Sequence, residues 1–101
     1  MSADKYTAIV DKDIADLVPM FMENRHKELE TLRAALASSN MEQVRQLGHR
    51  MKGVGNSYGF GPISELGRVL EDSAKANDAA GIAARLAEYA DYLAKVKVVY
   101  E

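Results

Sequence analysis

The 101-residue sequence has no cysteine and no tryptophan, and only two prolines. Without cysteine there can be no disulfide framework, no thiolate nucleophile and no cysteine zinc site. No apolar run approaches the roughly 20 residues of a membrane-spanning helix, and the first residues lack the basic and apolar regions of a signal peptide. The net charge of −2 gives no reason to expect nucleic acid or an anionic membrane as a partner. We therefore expect a cytoplasmic protein.

The composition that remains is that of an ordinary globular protein, with 48% hydrophobic and 28% charged residues. A chain of this length is long enough for a single modest core, so we expect residues 1–101 to form one domain. Apolar residues recur at helical spacing over residues 20–37, 40–59, 62–76 and 79–97, which predicts four helices. No segment alternates with period two over the length of a strand, so we expect no sheet.

Start and stop signals separate these helices. Ser38, Ser39 and Asn40 end the first helix, and Asn40 with Gln43 predicts a capping box for the second. Short connections favour antiparallel neighbours, so the predicted fold is all-α: an antiparallel up-down-up-down four-helix bundle with a short N-terminal helix. Asp11 or Asp13 is predicted to cap that short helix, and Pro19 predicts a helix start or a kink. Gly61-Pro62 is predicted to open the third helix, and Asn77-Asp78 to cap the fourth.

The second helix has two distinct faces. Its apolar stripe consists of Val44, Leu47, Met51, Val54 and Tyr58. The opposite face carries Glu42, Arg45, Gln46, His49, Lys52, Gly53 and Asn56. His49 lies at the middle of this polar face, and Lys52 lies one turn further along it. This spacing can place a compact positive charge beside the imidazole, and Arg45, one turn back, can add to it.

Glycines are unusually frequent in the same stretch, although each costs about 1 kcal/mol against alanine inside a helix. Gly48, Gly55 and Gly59 lie on one flank, which indicates either a closely packed neighbouring helix or the end of the helix. Gly53 instead lies on the polar face beside His49, where it contributes nothing to a core. We interpret Gly53 as room for something large to approach the histidine.

The run G-H-R-M-K-G-V-G-N-S-Y-G resembles the H-x-x-K-G-x-x-x-x-x-G signature of histidine-containing phosphotransfer domains. His49, Lys52, Gly53 and Gly59 match it, and a small residue before the histidine, here Gly48, is also usual in that family. Many members carry a small residue after the K-G pair, where this chain has Val54. Because that valine belongs to the apolar stripe, we expect a local packing difference with intact chemistry.

This resemblance implies a phosphorelay intermediate that exchanges a phosphoryl group between His49 and the aspartate of a response-regulator receiver domain. The partners it implies are such a receiver and a sensor or hybrid histidine kinase. No cofactor is expected on this chain, because the receiver brings the Mg²⁺, and neither a metal site nor an ATP site is expected. The implied site comprises His49 and Lys52, with Arg45, Arg50, Gly53 and Asn56 docking the partner; we expect a monomer.

Other interpretations remain open at this stage. A helical adaptor could bind a partner through the same face and transfer nothing. Glu23 and His26 have the spacing of half a di-iron carboxylate motif, but the second half is missing, so His26 receives no role. Met20, Phe21 and Met22 cannot all point inward, which leaves Met20 or Phe21 as a candidate for a docking patch.

Overall fold

The computed structural model describes residues 6–101. The sequence predicts partial order for residues 1–10, and of these residues 1–5 lie outside the described part. Four α-helices enclose one hydrophobic core: α1 Val18–Ala37, α2 Met41–Val54, α3 Gly61–Lys75 and α4 Ala79–Lys95. The four helices confirm the segments predicted from periodicity, with ends displaced by at most five residues. None of the helices in the described range combines the length and hydropathy needed to cross a bilayer.

The predicted capping residues occupy their expected places. The Asn40 side-chain oxygen accepts a hydrogen bond from the Gln43 backbone N–H at 3.1 Å. The Asp78 carboxylate accepts one from the Gly81 N–H at 3.0 Å. Both prolines lie in the first turn of a helix, Pro19 in α1 and Pro62 in α3, where their missing N–H is not needed.

The expectation of no sheet is wrong. Strand β1, Tyr6–Val10, pairs in parallel with strand β2, Val96–Tyr100, with Tyr6 opposite Val96 and Val10 opposite Tyr100. The strands come from the two ends of the described chain, about 90 residues apart, and each is five residues long. Local periodicity cannot reveal such a pairing, because each strand is short and its partner is distant. The β-branched run after Lys95 was the available signal.

The described N-terminus is therefore a strand, and the short N-terminal helix predicted after Asp11 or Asp13 is not confirmed. The segment after it, Lys12–Leu17, is a 3₁₀-helix. Asp11 caps it, since its carboxylate accepts a hydrogen bond from the Asp13 N–H at 2.8 Å. Of the two predicted caps, Asp11 is thus the one in use. The 3₁₀-helix leads directly into α1, which begins at Val18, two residues earlier than predicted.

Two glycines let α2 and α3 approach each other closely. A Cβ added to Gly48 would lie 2.8 Å from the Gly67 carbonyl oxygen, and a Cβ added to Gly67 would lie 2.6 Å from the Gly48 carbonyl oxygen. Real Cβ contacts are not this short, so neither position accepts a side chain without movement of the backbone. The backbones of α2 and α3 therefore pack directly against each other at these two glycines.

The second helix ends at Val54, earlier than the predicted end near Gly59. The Asn56 N–H donates to the Ser64 hydroxyl on α3 at 2.8 Å, and the chain tightens into a 3₁₀ turn over Asn56–Tyr58. Gly59 closes this turn with φ +87°, a left-handed conformation that glycine adopts without strain. Both predicted explanations for these glycines therefore apply: Gly48 allows close helix packing, and Gly59 allows the chain to turn.

A buried polar network joins α1 to α4. The Tyr89 hydroxyl donates a hydrogen bond to the Glu28 carboxylate at 3.0 Å, and the Arg25 Nε lies 3.2 Å from the same oxygen. Burial raises the pKa of the Glu28 carboxyl, although the positive charge of Arg25 opposes that shift. The network therefore balances a buried carboxylate with a cation and a hydroxyl.

Candidate functional site

His49 lies on the exposed face of α2, and its side chain is 65% exposed. Its Nδ1 atom lies 3.0 Å from the Oε2 atom of Glu71 on α3. The Glu71 side chain is only 7% exposed, so the imidazole is held at its inner nitrogen by a nearly buried carboxylate. The other ring nitrogen, Nε2, forms no hydrogen bond or ion pair with residues 6–101.

Glu71 is surrounded by positive charge. The Lys52 Nζ lies 3.0 Å from its Oε1, and the Lys75 Nζ lies 3.8 Å from its Oε2. The hydrogen bond from Lys52 is the main reason that the pKa of Glu71 is lowered, and the bond from His49 contributes despite the opposing effect of burial. These contacts stabilise the fold above the ordinary carboxyl pKa of 4.5, and that stabilisation is lost as the pH falls through the lowered value.

The protonation of Glu71 determines which nitrogen of His49 carries the proton. A carboxylate that is ionised at neutral pH can only accept hydrogen bonds. Nδ1 of a neutral imidazole must therefore carry the proton and donate it to Glu71, which leaves the lone pair on Nε2. The contact thus fixes both the orientation and the tautomer of the neutral ring, and it leaves the lone pair of Nε2 unused by the residues that the structure describes.

The close packing of α2 on α3 positions this carboxylate. Gly67 lies against Gly48 and the Lys52 backbone nitrogen, and Glu71 follows one turn later on the same face of α3. The sequence predictions did not include Glu71. The signal that could have found it was the pair of glycines facing each other with a glutamate one turn beyond, but that signal requires knowing which helices meet.

The other predicted site residues have different surroundings. Arg45 donates hydrogen bonds to both carboxylate oxygens of Glu42, with 2.9 Å between Nε and Oε1. Arg50 faces a groove between α1 and α2 and not the His49–Glu71 contact. Asn56 lies in the 3₁₀ turn beyond the end of α2, exposed to solvent. In the structure, His49 and Lys52 both contact Glu71. Arg45, Arg50 and Asn56 lie around this contact and are not part of it.

Gly53 differs from the other glycines of this region, because a Cβ added there would meet no atom within 4 Å. It is exposed and lies in the last turn of α2, one turn after His49. No packing requirement in the described structure therefore explains a glycine at this position. Val54, the departure from the family signature, is half-buried and packs against the core, as the apolar stripe predicts.

The two docking candidates on α1 behave differently from each other. Met20 is 68% exposed, whereas Phe21 is buried with its ring stacked 4.4 Å from Tyr58 and 5.0 Å from Phe60. Only Met20 remains available to a partner. His26 is exposed on α1. Among residues 6–101, no group of three or more histidine and acidic side chains is arranged to hold a metal ion.

Comparison with protein families identifies the family to which this chain belongs. The chain matches the family model described as the Hpt domain over residues 16–97, which include all four helices. Comparisons with curated proteins and with solved structures gave no significant match. Hpt domains are phosphocarrier modules of two-component signalling that interact with receiver domains and histidine kinases, and they are not themselves kinases. This chain therefore belongs to the Hpt domain family.

Proposed function

We propose that this chain is a phosphorelay intermediate that carries a phosphoryl group on Nε2 of His49. It accepts the group from the phosphorylated aspartate of a receiver domain and can return it to such an aspartate. The observation that carries the proposal is the exposed imidazole whose Nδ1 is held by the nearly buried Glu71. In this proposal the antiparallel bundle expected from the sequence is the rigid scaffold of the nucleophile.

The transfer step needs a neutral nucleophile and little other covalent chemistry. The Nε2 lone pair attacks the phosphorus of the aspartyl phosphate. A nitrogen–phosphorus bond forms, the phosphorus–oxygen bond to the aspartate breaks, and its electron pair leaves with the carboxylate. Nδ1 keeps the proton that it donates to Glu71, so the phosphorylated ring is cationic. On the next transfer the leaving group is then a neutral imidazole, which is better than an imidazolate.

We assign Lys52 to the phosphoryl group. Its side chain is 44% exposed and lies one turn from His49, and its ammonium is tethered to Glu71 at 3.0 Å. A lysine is a compact charge on a flexible stem, so it can turn from the carboxylate to a phosphoryl oxygen. The receiver contributes the aspartate and the Mg²⁺, which neutralises the charge that develops during transfer.

A transfer assay tests this function. The purified chain is mixed with Mg²⁺ and a panel of receiver domains phosphorylated with radiolabelled acetyl phosphate. A carrier acquires a phosphate that is labile in acid and stable in alkali, as expected for phosphohistidine. A chain that binds a receiver but acquires no label would instead be a non-transferring adaptor, and the proposed function would be rejected.

Replacing Glu71 should slow transfer through the loss of the Nδ1 anchor. Glu71→Ala removes the acceptor that fixes ring and tautomer, so we expect transfer to fall by roughly tenfold or more. Glu71→Gln keeps an oxygen that can accept from Nδ1 and should retain most of the rate. Rapid-quench measurement of both variants with the same receiver checks this order, and equal rates for Glu71→Ala and the wild type would contradict the anchoring role.

Lys52→Ala should slow transfer by roughly tenfold while leaving the helical fold intact. The charge is needed mainly when a phosphoryl group is present, and the exposed side chain packs little surface. The rate with a phosphorylated receiver and the far-UV circular dichroism spectrum are measured on the same sample. An unfolded variant would show that Lys52 is structural.

Substitutions of Gly53 should lower the rate of phosphotransfer without lowering the stability of the domain. In an exposed helical position Gly53→Ala should raise the free energy of unfolding by about 0.5–1 kcal/mol, and Gly53→Gln should leave it at least as high as in the wild type. Either side chain intrudes one turn from His49, so transfer should fall, modestly for alanine and steeply for glutamine. Thermal melts beside the transfer assay test this, and a lowered melting temperature would contradict it.

A further inference from the structure

The distribution of ion pairs singles out two cations on the α1–α2 side of the molecule. Within residues 6–101 most arginines and lysines lie within 4 Å of a carboxylate, including Arg25, Arg45 and Lys52. Lys27 and Arg50 form no such pair in that range, and both side chains line the same groove. Two uncompensated positive charges therefore converge on one concave surface.

This groove has a volume of about 480 Å³ and lies between α1 and α2. Its lining contains one carboxylate, that of Glu28, which is buried and held by Arg25 and by the Tyr89 hydroxyl. Arg50 lies near enough to lower the pKa of Glu28 without forming an ion pair. Arg25 already compensates that carboxylate, and Lys27 and Arg50 are exposed residues of the lining with no ion-pair partner in the described part of the chain.

The groove is continuous with the surface around the nucleophile. Arg50 follows His49 directly, and Gln46, which also lines the groove, lies on the turn of α2 before the histidine. Gly53, on the next turn, carries no side chain that could separate the groove from the imidazole. A protein that covers His49 from this side therefore also covers the groove.

We propose that the groove between α1 and α2 docks an acidic segment of the receiver, with Lys27 and Arg50 contacting its aspartate or glutamate carboxylates. The inference rests on the proposed function and adds to it the chemistry by which a receiver is selected. Complementary charge at the edge of an interface accelerates encounter and rejects partners of the wrong sign. The groove therefore discriminates among receivers, and the His49 site performs transfer.

Charge reversal tests this docking surface. Lys27→Glu and Arg50→Glu are compared with the wild type in the phosphotransfer assay, using the receiver of the panel that transfers fastest. Each variant should raise the receiver concentration at half-maximal rate by roughly threefold to tenfold at low salt, while the rate at saturation changes by less than about twofold. The difference should shrink as salt rises to about 0.5 M, because screening weakens exposed charges.

Lys12→Glu is the matched control. Lys12 is an exposed lysine that forms no ion pair with any residue the structure describes, and it lies outside the groove. Its reversal changes the net charge by the same amount. Lys12→Glu should leave the half-saturating concentration within about twofold of the wild type. If Lys27→Glu and Arg50→Glu behave like Lys12→Glu, the docking proposal is overturned while the transfer function stands. If the wild type acquires label from no receiver of the panel, the proposed function fails and the docking proposal fails with it.

Discussion

His49→Gln is expected to abolish acid-labile phosphorylation of this chain and to leave its fold unchanged. Glutamine offers no lone pair comparable to that of Nε2, so no nitrogen–phosphorus bond can form. The side chain is 65% exposed, and substitutions at such positions usually change the free energy of unfolding by no more than about 0.5 kcal/mol. Labelling by a phosphorylated receiver and a urea unfolding curve, measured on the same preparation, check both parts.

His26→Gln is the control for that experiment, because His26 is the second histidine of the chain and is also exposed. It should carry as much acid-labile phosphate as the wild type. Residual acid-labile label on His49→Gln would show that the nucleophile is a different residue. Loss of label on His26→Gln would likewise overturn the assignment, since His26 lies on α1 and has no role in the proposed transfer.

The parts of the site predicted from sequence are those fixed by one helix. His49, Lys52 and Gly53 lie within five consecutive residues of α2, so helical spacing alone places them on one face. Asn40 could be predicted as a cap for the same reason, because its hydrogen bond reaches only three residues along the chain. Local chemistry and a short motif were sufficient for these features.

The parts that escaped prediction depend on which elements meet. Glu71 is 22 residues from His49 and becomes part of the site only because α3 packs closely on α2. The parallel strands are still farther apart in the chain, and each is too short to show a clear period. Arg50 could be placed on α2 about a quarter-turn from His49, but Lys27, which lines the same groove and has no ion-pair partner within residues 6–101, belongs to another helix. Sequence periodicity describes each element and not its neighbours.

Gly67→Ala is expected to destabilise the protein and to slow transfer at the same time. The new Cβ would lie 2.6 Å from both the Gly48 carbonyl oxygen and the Lys52 backbone nitrogen, where backbone atoms cannot turn aside as a side chain could. Overpacking of this kind costs about 1–3 kcal/mol of unfolding free energy. The helices must separate to relieve it, which withdraws Glu71 from His49 and Lys52. Urea unfolding and the transfer rate measure the two effects.

Gly53→Ala is the matched control for Gly67→Ala, because the same atom is added to a helical glycine with nothing within 4 Å. The two substitutions should shift the melting temperature in opposite directions, by roughly 4–8 °C for each kcal/mol in a domain of this size. In Gly67→Ala the loss of transfer should accompany the loss of stability, whereas in Gly53→Ala transfer should fall although stability rises. A Gly67→Ala protein as stable as the wild type would show that α2 and α3 do not meet backbone to backbone, and the positioning of Glu71 would then need another explanation.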